Sequence, residues 1–107
     1  MVTTGIRRIS MPPTAKAELE DFAWRNHKSV SLVIREVLEE YRRNPEAYRA
    51  LPDMDGALSG RVTAYVPDAP WFAARDMAYT SGRIALSVVI RKGVRAAMER
   101  EQVAESA

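Results

Sequence analysis

Two alternating stretches of this chain end at a proline, and the residues after each obey one plan. The stretches are IRRISMP at 6–12 and GRVTAYVP at 60–67. In the second, Val62, Ala64 and Val66 alternate with Arg61, Thr63 and Tyr65, the period-2 pattern of a half-buried strand. A solitary strand leaves its backbone groups unpaired, which a small domain does not tolerate. Downstream, SVSLVIREVLEEY (29–41) aligns with ALSVVIRKGVRAA (85–97) around Val33-Ile34-Arg35 and Val89-Ile90-Arg91. The offset is 55 in the strands and 56 in these helices, so the second copy holds one extra turn residue. A duplication of this kind supplies the missing strand from within the chain.

Each copy reads strand, helix, turn, helix. In the first, Pro13 or Thr14 opens a helix, and Ala15, Leu19, Phe22 and Ala23 form its buried stripe. Asn26-His27-Lys28 breaks it, Ser29 is the natural N-cap of the next helix, and Val30, Val33, Ile34, Val37, Leu38 and Tyr41 make that helix's apolar face. Asn44-Pro45 stops it. In the second copy, Asp68 is expected to cap the first helix and Gly82 to take the left-handed position after it. Ala74, Met77 and Ala78 take the buried places of that helix. The second helix should run from about 85 to 100, burying Leu86, Val89, Ile90, Val94 and Ala97. Gly93 stands where Val37 stands in copy one. It costs roughly 1 kcal/mol of helix propensity, which points to close packing. The organisation is therefore a first repeat at 6–44, a linker at 45–59 with one helical turn at 46–51, a second repeat at 60–100, and a short polar, frayed tail at 101–107.

The totals restrict the function. A chain of 107 residues, 47% hydrophobic, can build one core without staples. Cysteine is absent, which excludes disulfides and thiolate metal sites, and the single histidine, His27, cannot build a zinc site alone. No apolar run approaches the roughly 18 residues of a membrane span. The opening MVTTGIRRIS lacks a secretory apolar stretch, so a soluble cytoplasmic protein is expected. Residues 1–52 carry 9 Lys/Arg against 7 Asp/Glu, and residues 53–107 carry 7 of each, so any polyanion surface must be local.

Antiparallel pairing of the two strands would bury Ile9, Met11, Val62, Ala64 and Val66. It would expose Ile6, Arg8, Ser10, Arg61, Thr63 and Tyr65 together. With this arrangement the sequence resembles the ribbon-helix-helix (Arc/MetJ/CopG) superfamily of DNA-binding proteins. The features that carry the resemblance are Met11-Pro12, Leu19 with Phe22-Ala23, the turn His27-Lys28-Ser29, and Val33-Ile34-Arg35-Glu36. They recur as Val66-Pro67, Ala74 with Met77-Ala78, Gly82-Arg83, and Val89-Ile90-Arg91-Lys92. The resemblance implies a mainly α fold with one two-stranded antiparallel ribbon. Members of the family normally dimerise to complete the ribbon; here the halves look fused into an intrachain pseudo-dimer. Two features depart from the family pattern: His27 stands where glycine is common, and Arg7 falls on the nominally buried side. Either the strand frays before Arg8, or its register slips so that Arg7 points outward.

A two-stranded ribbon fits the major groove of B-DNA, and arginine, serine, threonine and tyrosine can all address base edges there. Arg8, Ser10, Arg61, Thr63 and Tyr65 are the expected base readers. Phosphates would be met by Arg7 and Lys28, by the helix start at Ser29-Val30, by Arg83, and by the helix start at Ala85-Leu86. Arg35 and Arg91 are expected on a solvated face or paired with Glu36, Glu39 and Glu40, and Trp24 and Trp71 as partial core or a protein contact. No catalytic constellation, cofactor loop or metal-ligand cluster is read from the sequence, and no enzyme is expected. The functional expectation is sequence-specific binding of double-stranded DNA as a transcriptional repressor at an asymmetric operator. Neighbouring chains could self-associate on DNA. The alternatives are a relaxosome accessory or plasmid partition protein, with a relaxase as possible partner, and an antitoxin-type module that binds a toxin.

Overall fold

The computed structural model describes residues 4–106. Its elements are β1 (Thr4–Met11), α1 (Pro13–Arg25), α2 (Val30–Arg43), α3 (Glu46–Arg49), β2 (Gly60–Pro67), α4 (Asp68–Gly82) and α5 (Leu86–Ser106). The fold is mainly α, with one two-stranded antiparallel sheet of β1 and β2. Thr4 lies opposite Pro67, Arg8 opposite Thr63, and Met11 opposite Gly60. Alternation then sends Ile9, Met11, Val62, Ala64 and Val66 inward, where all five are buried. They pack on Leu19 and Ala23 of α1, Ala74 and Ala78 of α4, and the apolar stripes of α2 and α5. Phe22, Val30 and Met77 are partly buried at the margin of this core.

Both strands pass into helices in the same way. Pro12 (φ −59°, ψ 142°) and Pro67 (φ −57°, ψ 145°) each occupy the cap position, 55 residues apart. Asp68 is therefore not the cap that the sequence suggests. It is the first helical residue, and its carboxylate is engaged by Arg7. The helix ends differ. In α1 the Lys28 amide donates to the Ala23 carbonyl (2.9 Å) and the His27 amide to Trp24 (3.1 Å), a Schellman arrangement with His27 left-handed at φ 56°. In α4 the left-handed residue is Arg83 (φ 52°) and Gly82 is still helical, contrary to the expectation for Gly82. Ile84 there donates to Ala78 across one more residue (3.3 Å). The extra residue of the second copy is thus absorbed in a widened last helical turn, and the left-handed positions fall 56 apart.

The second helices meet closely. A Cβ on Gly93 would lie 2.3 Å from Cγ1 of Val37 and 3.0 Å from the Tyr48 ring, so only glycine lets α2 and α5 approach at this point. Residues 45–59 are more ordered in their contacts than a linker reading suggests. Tyr48 of α3 is buried and stands edge-on to Tyr41, with ring centroids 5.3 Å apart. Arg91 is not on a solvated face. Its side chain is 6% exposed, donates to both oxygens of Asp53 (2.9 and 3.0 Å) and reaches the Ser10 carbonyl (3.2 Å). Its repeat counterpart, Arg35, is exposed. The stretch 101–106 is helical rather than frayed: Glu101 pairs with Arg25 and accepts from the Asn26 side chain at 2.5 Å, tying α5 to the end of α1.

Candidate nucleic-acid interface

The outward face of the ribbon is a block of three cross-strand pairs: Ile6 opposite Tyr65, Arg8 opposite Thr63, and Ser10 opposite Arg61. Ser10 is half-buried and the other five side chains are exposed. The pairs succeed one another at about 6.8 Å intervals along the strands, two residues per step. Arg8 and Arg61 have no carboxylate partner among the described residues, whereas Arg7, Lys28, Arg91, Arg95 and Arg100 each do. Their charge is left for an external anion or acceptor. Ile6 and Tyr65 give the block an apolar corner, 59% and 55% exposed.

Arg7 is not on this face. Neither fraying nor a register slip occurs, since β1 is paired from Thr4 and keeps Ile9 and Met11 inside. The guanidinium instead finds an internal site. It forms an ion pair with Asp68, and its central carbon lies 4.9 Å from the Trp71 ring centroid and 5.3 Å from that of Phe72. A carboxylate and two aromatic faces offset the loss of solvent that an inward arginine suffers. Its buried Nε has no hydrogen-bond partner. Arg7 is thereby withdrawn from the phosphate-contacting set expected of it.

The start of α2 flanks one side of the ribbon. Ser29 caps it, its hydroxyl accepting from the Leu32 amide at 3.0 Å. Ser31, in the first turn, accepts from the backbone amide of Tyr65 at 2.9 Å, which fastens this helix start to the outer edge of β2. The start of α5 has no such cap, because Ala85 has no side-chain acceptor, and the Ala85 carbonyl accepts from Val88 at 3.0 Å. Val30 is half-buried and Leu86 buried, so what these positions can present is backbone N–H rather than side chain. Lys28 is tied to Glu36 at 2.9 Å, while Arg83 is exposed and has no carboxylate partner among the described residues. Two further positions bear on this surface, Ser31, read from the sequence only as part of a helix start, and Arg75, which the sequence reading left aside. Ser31 positions β2, and Arg75 of α4 is exposed over the Phe72 ring (5.1 Å). The signal for Arg75 was present in the repeat, since its counterpart 55 residues earlier is Glu20.

Among the described residues there is no group of three or more His, Cys, Asp or Glu arranged to hold a metal, and no helix long and apolar enough to cross a membrane. Compared with models of known families, with curated proteins and with solved structures, the chain finds no match.

Proposed function

We propose that this chain is a tandem ribbon-helix-helix protein, an intrachain pseudo-dimer that inserts its ribbon into the major groove of duplex DNA and acts as a cytoplasmic transcriptional repressor. The observation that carries the reading is the outward face: two carboxylate-free arginines, two hydroxyl side chains and a tyrosine on one stiff, two-stranded support. The groove is roughly 12 Å wide, and two strands about 4.8 Å apart with their side chains match it. Pairing across the repeat supports the pseudo-dimer. Residues 55 apart face each other only at Arg8 and Thr63, and Val37 and Gly93, 56 apart, touch beneath them. An approximate two-fold axis through both pairs accounts for the two coincidences together.

Arg8 and Arg61 can each address guanine O6 and N7, while Ser10, Thr63 and Tyr65 donate, accept or meet a thymine methyl. The helix starts at Ser29-Val30 and Ala85-Leu86 offer amides to phosphates on either side. Unlike residues stand at equivalent positions (Arg8 against Thr63, Ser10 against Tyr65), so the favoured operator is asymmetric.

Fluorescence anisotropy tests this on DNA from upstream of the protein's own gene, against a scrambled duplex, at several salt concentrations. Specific binding that disappears in an Arg8→Ala/Arg61→Ala/Thr63→Ala variant, leaving a salt-dependent remainder, is the expected result. Equal affinity of wild type and variant for both duplexes would refute the ribbon as reading head. A strictly palindromic site selected from random DNA by a single chain would refute the asymmetry.

A further inference from the structure

We infer that the two flanks of the ribbon grip DNA unequally, and that the α4–α5 flank, through Arg75 and Arg83, is the phosphate clamp. This rests on the DNA-binding reading and assigns a phosphate site to a face of the protein outside the ribbon. A groove of about 570 Å³ runs beside β1 between α4 and the start of α5. Arg8 lines it, so it opens onto the outward face of the ribbon, and Arg75, Asp76, Tyr79 and Ser87 are its other polar lining residues. Arg75 lies over Phe72 and has no carboxylate partner among the described residues. Tyr79 is 70% exposed, and tyrosine hydroxyls are common phosphate donors. Arg83 adjoins the groove through Ile84, which also lines it.

The equivalent positions on the opposite flank, beside β2, carry different charges. Arg8 is replaced by Thr63, and Arg75 by Glu20, while Asp76 is matched by Asp21. Lys28 is held by Glu36, whose own counterpart 56 residues on is Lys92, not an acid. Lys16 stands where Trp71 stands, and the further cations of that side, Arg25 and Lys28, are paired with Asp21, Glu101 and Glu36. Opposite signs at Glu20 and Arg75 repel a phosphate on one flank and attract it on the other. Arg83 places a second cation on this flank, in a left-handed conformation (φ 52°) that glycine adopts more easily.

Salt dependence of binding to mixed-sequence duplex DNA separates the flanks, since each phosphate contact adds about 0.9 to the slope of log K against log salt. The variants are Arg75→Ala/Arg83→Gly, Lys28→Ala, and Glu20→Arg, with thermal melts to show that each is folded. Loss of both clamp residues should flatten the slope by about 1.8. Its deficit against wild type should then shrink roughly twelvefold over a fourfold rise in salt. Lys28→Ala should leave the slope nearly unchanged, and Glu20→Arg should steepen it by about 0.9 as a contact is built on the opposite flank. Equal flattening by Lys28→Ala and by the clamp pair, or no response to Glu20→Arg, would overturn the unequal grip while DNA binding stands. Failure of the wild type to bind any duplex would overturn both.

Discussion

A methyl group at position 93 is a sharp probe of how the two halves meet. Gly93→Ala would place its carbon 2.3 Å from Cγ1 and 3.1 Å from Cγ2 of Val37, and 3.0 Å from the Tyr48 ring. Carbon atoms prefer about 3.5–4.0 Å, so at least one neighbour must move by more than an ångström. Val37 is β-branched in the middle of α2 and has essentially one helical rotamer, so it cannot swing aside cheaply. Overpacking of this kind costs about 1–3 kcal/mol, and a 2.3 Å approach belongs at the upper end. Against it stands a helix-propensity gain of about 1 kcal/mol. The expected balance is a destabilisation of about 1–2 kcal/mol, measured by urea unfolding with far-UV circular dichroism at unchanged m. A double-mutant cycle adds the decisive number. With Val37→Ala as background both Val37 contacts are gone and only the 3.0 Å approach to the Tyr48 ring remains, so Gly93→Ala should turn close to neutral, giving a coupling of about 2 kcal/mol. If Gly93→Ala stabilises the native background, α2 and α5 are not in contact at these residues, and the reasoning about the axis fails with it.

Other contacts give further expected outcomes. Arg61→Ala or Thr63→Ala should reduce discrimination between the operator and single-base variants by about 1–3 kcal/mol, read by competition binding. Asp53→Asn leaves the buried Arg91 guanidinium without its counter-charge and should cost about 3 kcal/mol in urea unfolding at neutral pH. The Arg91 hydrogen bond holds the Asp53 carboxyl below the usual carboxylate range. Its contribution is therefore complete above about pH 4 and lost as pH falls through the depressed value, and Asp53→Asn should flatten that acid limb. Burial, and then Glu40, push the Tyr48 phenol up to about 12. A raised acid favours the fold below its unfolded value of about 10 and loses that advantage as pH rises toward about 12, so Tyr48→Phe should remove this alkaline loss.

How much of this was legible in the sequence depended on the range of the interaction. Period-2 alternation and a terminal proline placed Arg8, Ser10, Arg61, Thr63 and Tyr65 on the outer face, because strand geometry alone decides which side a residue takes. The same alternation put Arg7 inside, but its partner Asp68 is 61 residues away, and nothing local distinguishes a matched inward cation from a frayed strand. Arg91 and Asp53 are a like case at 38 residues, where charges on the second helix read as solvent-facing because loop residues that cover them carry no periodicity. The polar composition of 101–106 suggested fraying, whereas Glu101 is anchored by Arg25 across 76 residues. Gly82 and Arg83 were exchanged because the repeat fixes how many residues are inserted, not where the helix absorbs the insertion. Of the candidate interface, what the sequence missed was Arg75, a surface residue whose meaning lies only in comparison with Glu20.

The ribbon joins residues 4–11 to residues 60–67 of the same chain, and this sets how the protein behaves when it is scarce. Two strands on separate chains must find each other, so their pairing weakens with every dilution. Two strands on one chain meet at an effective concentration fixed by the connecting segment, typically millimolar for a flexible connection. Pairing here is moreover reinforced by the Arg91 contact to both Asp53 and the end of β1. The ribbon therefore forms without a second chain, and its strand pairing does not weaken on dilution. Subunit exchange with a related chain cannot mix the two strands. The counterpart of that independence is kinetic, since closing so long a loop before the strands reward it makes ribbon formation the slow step of folding.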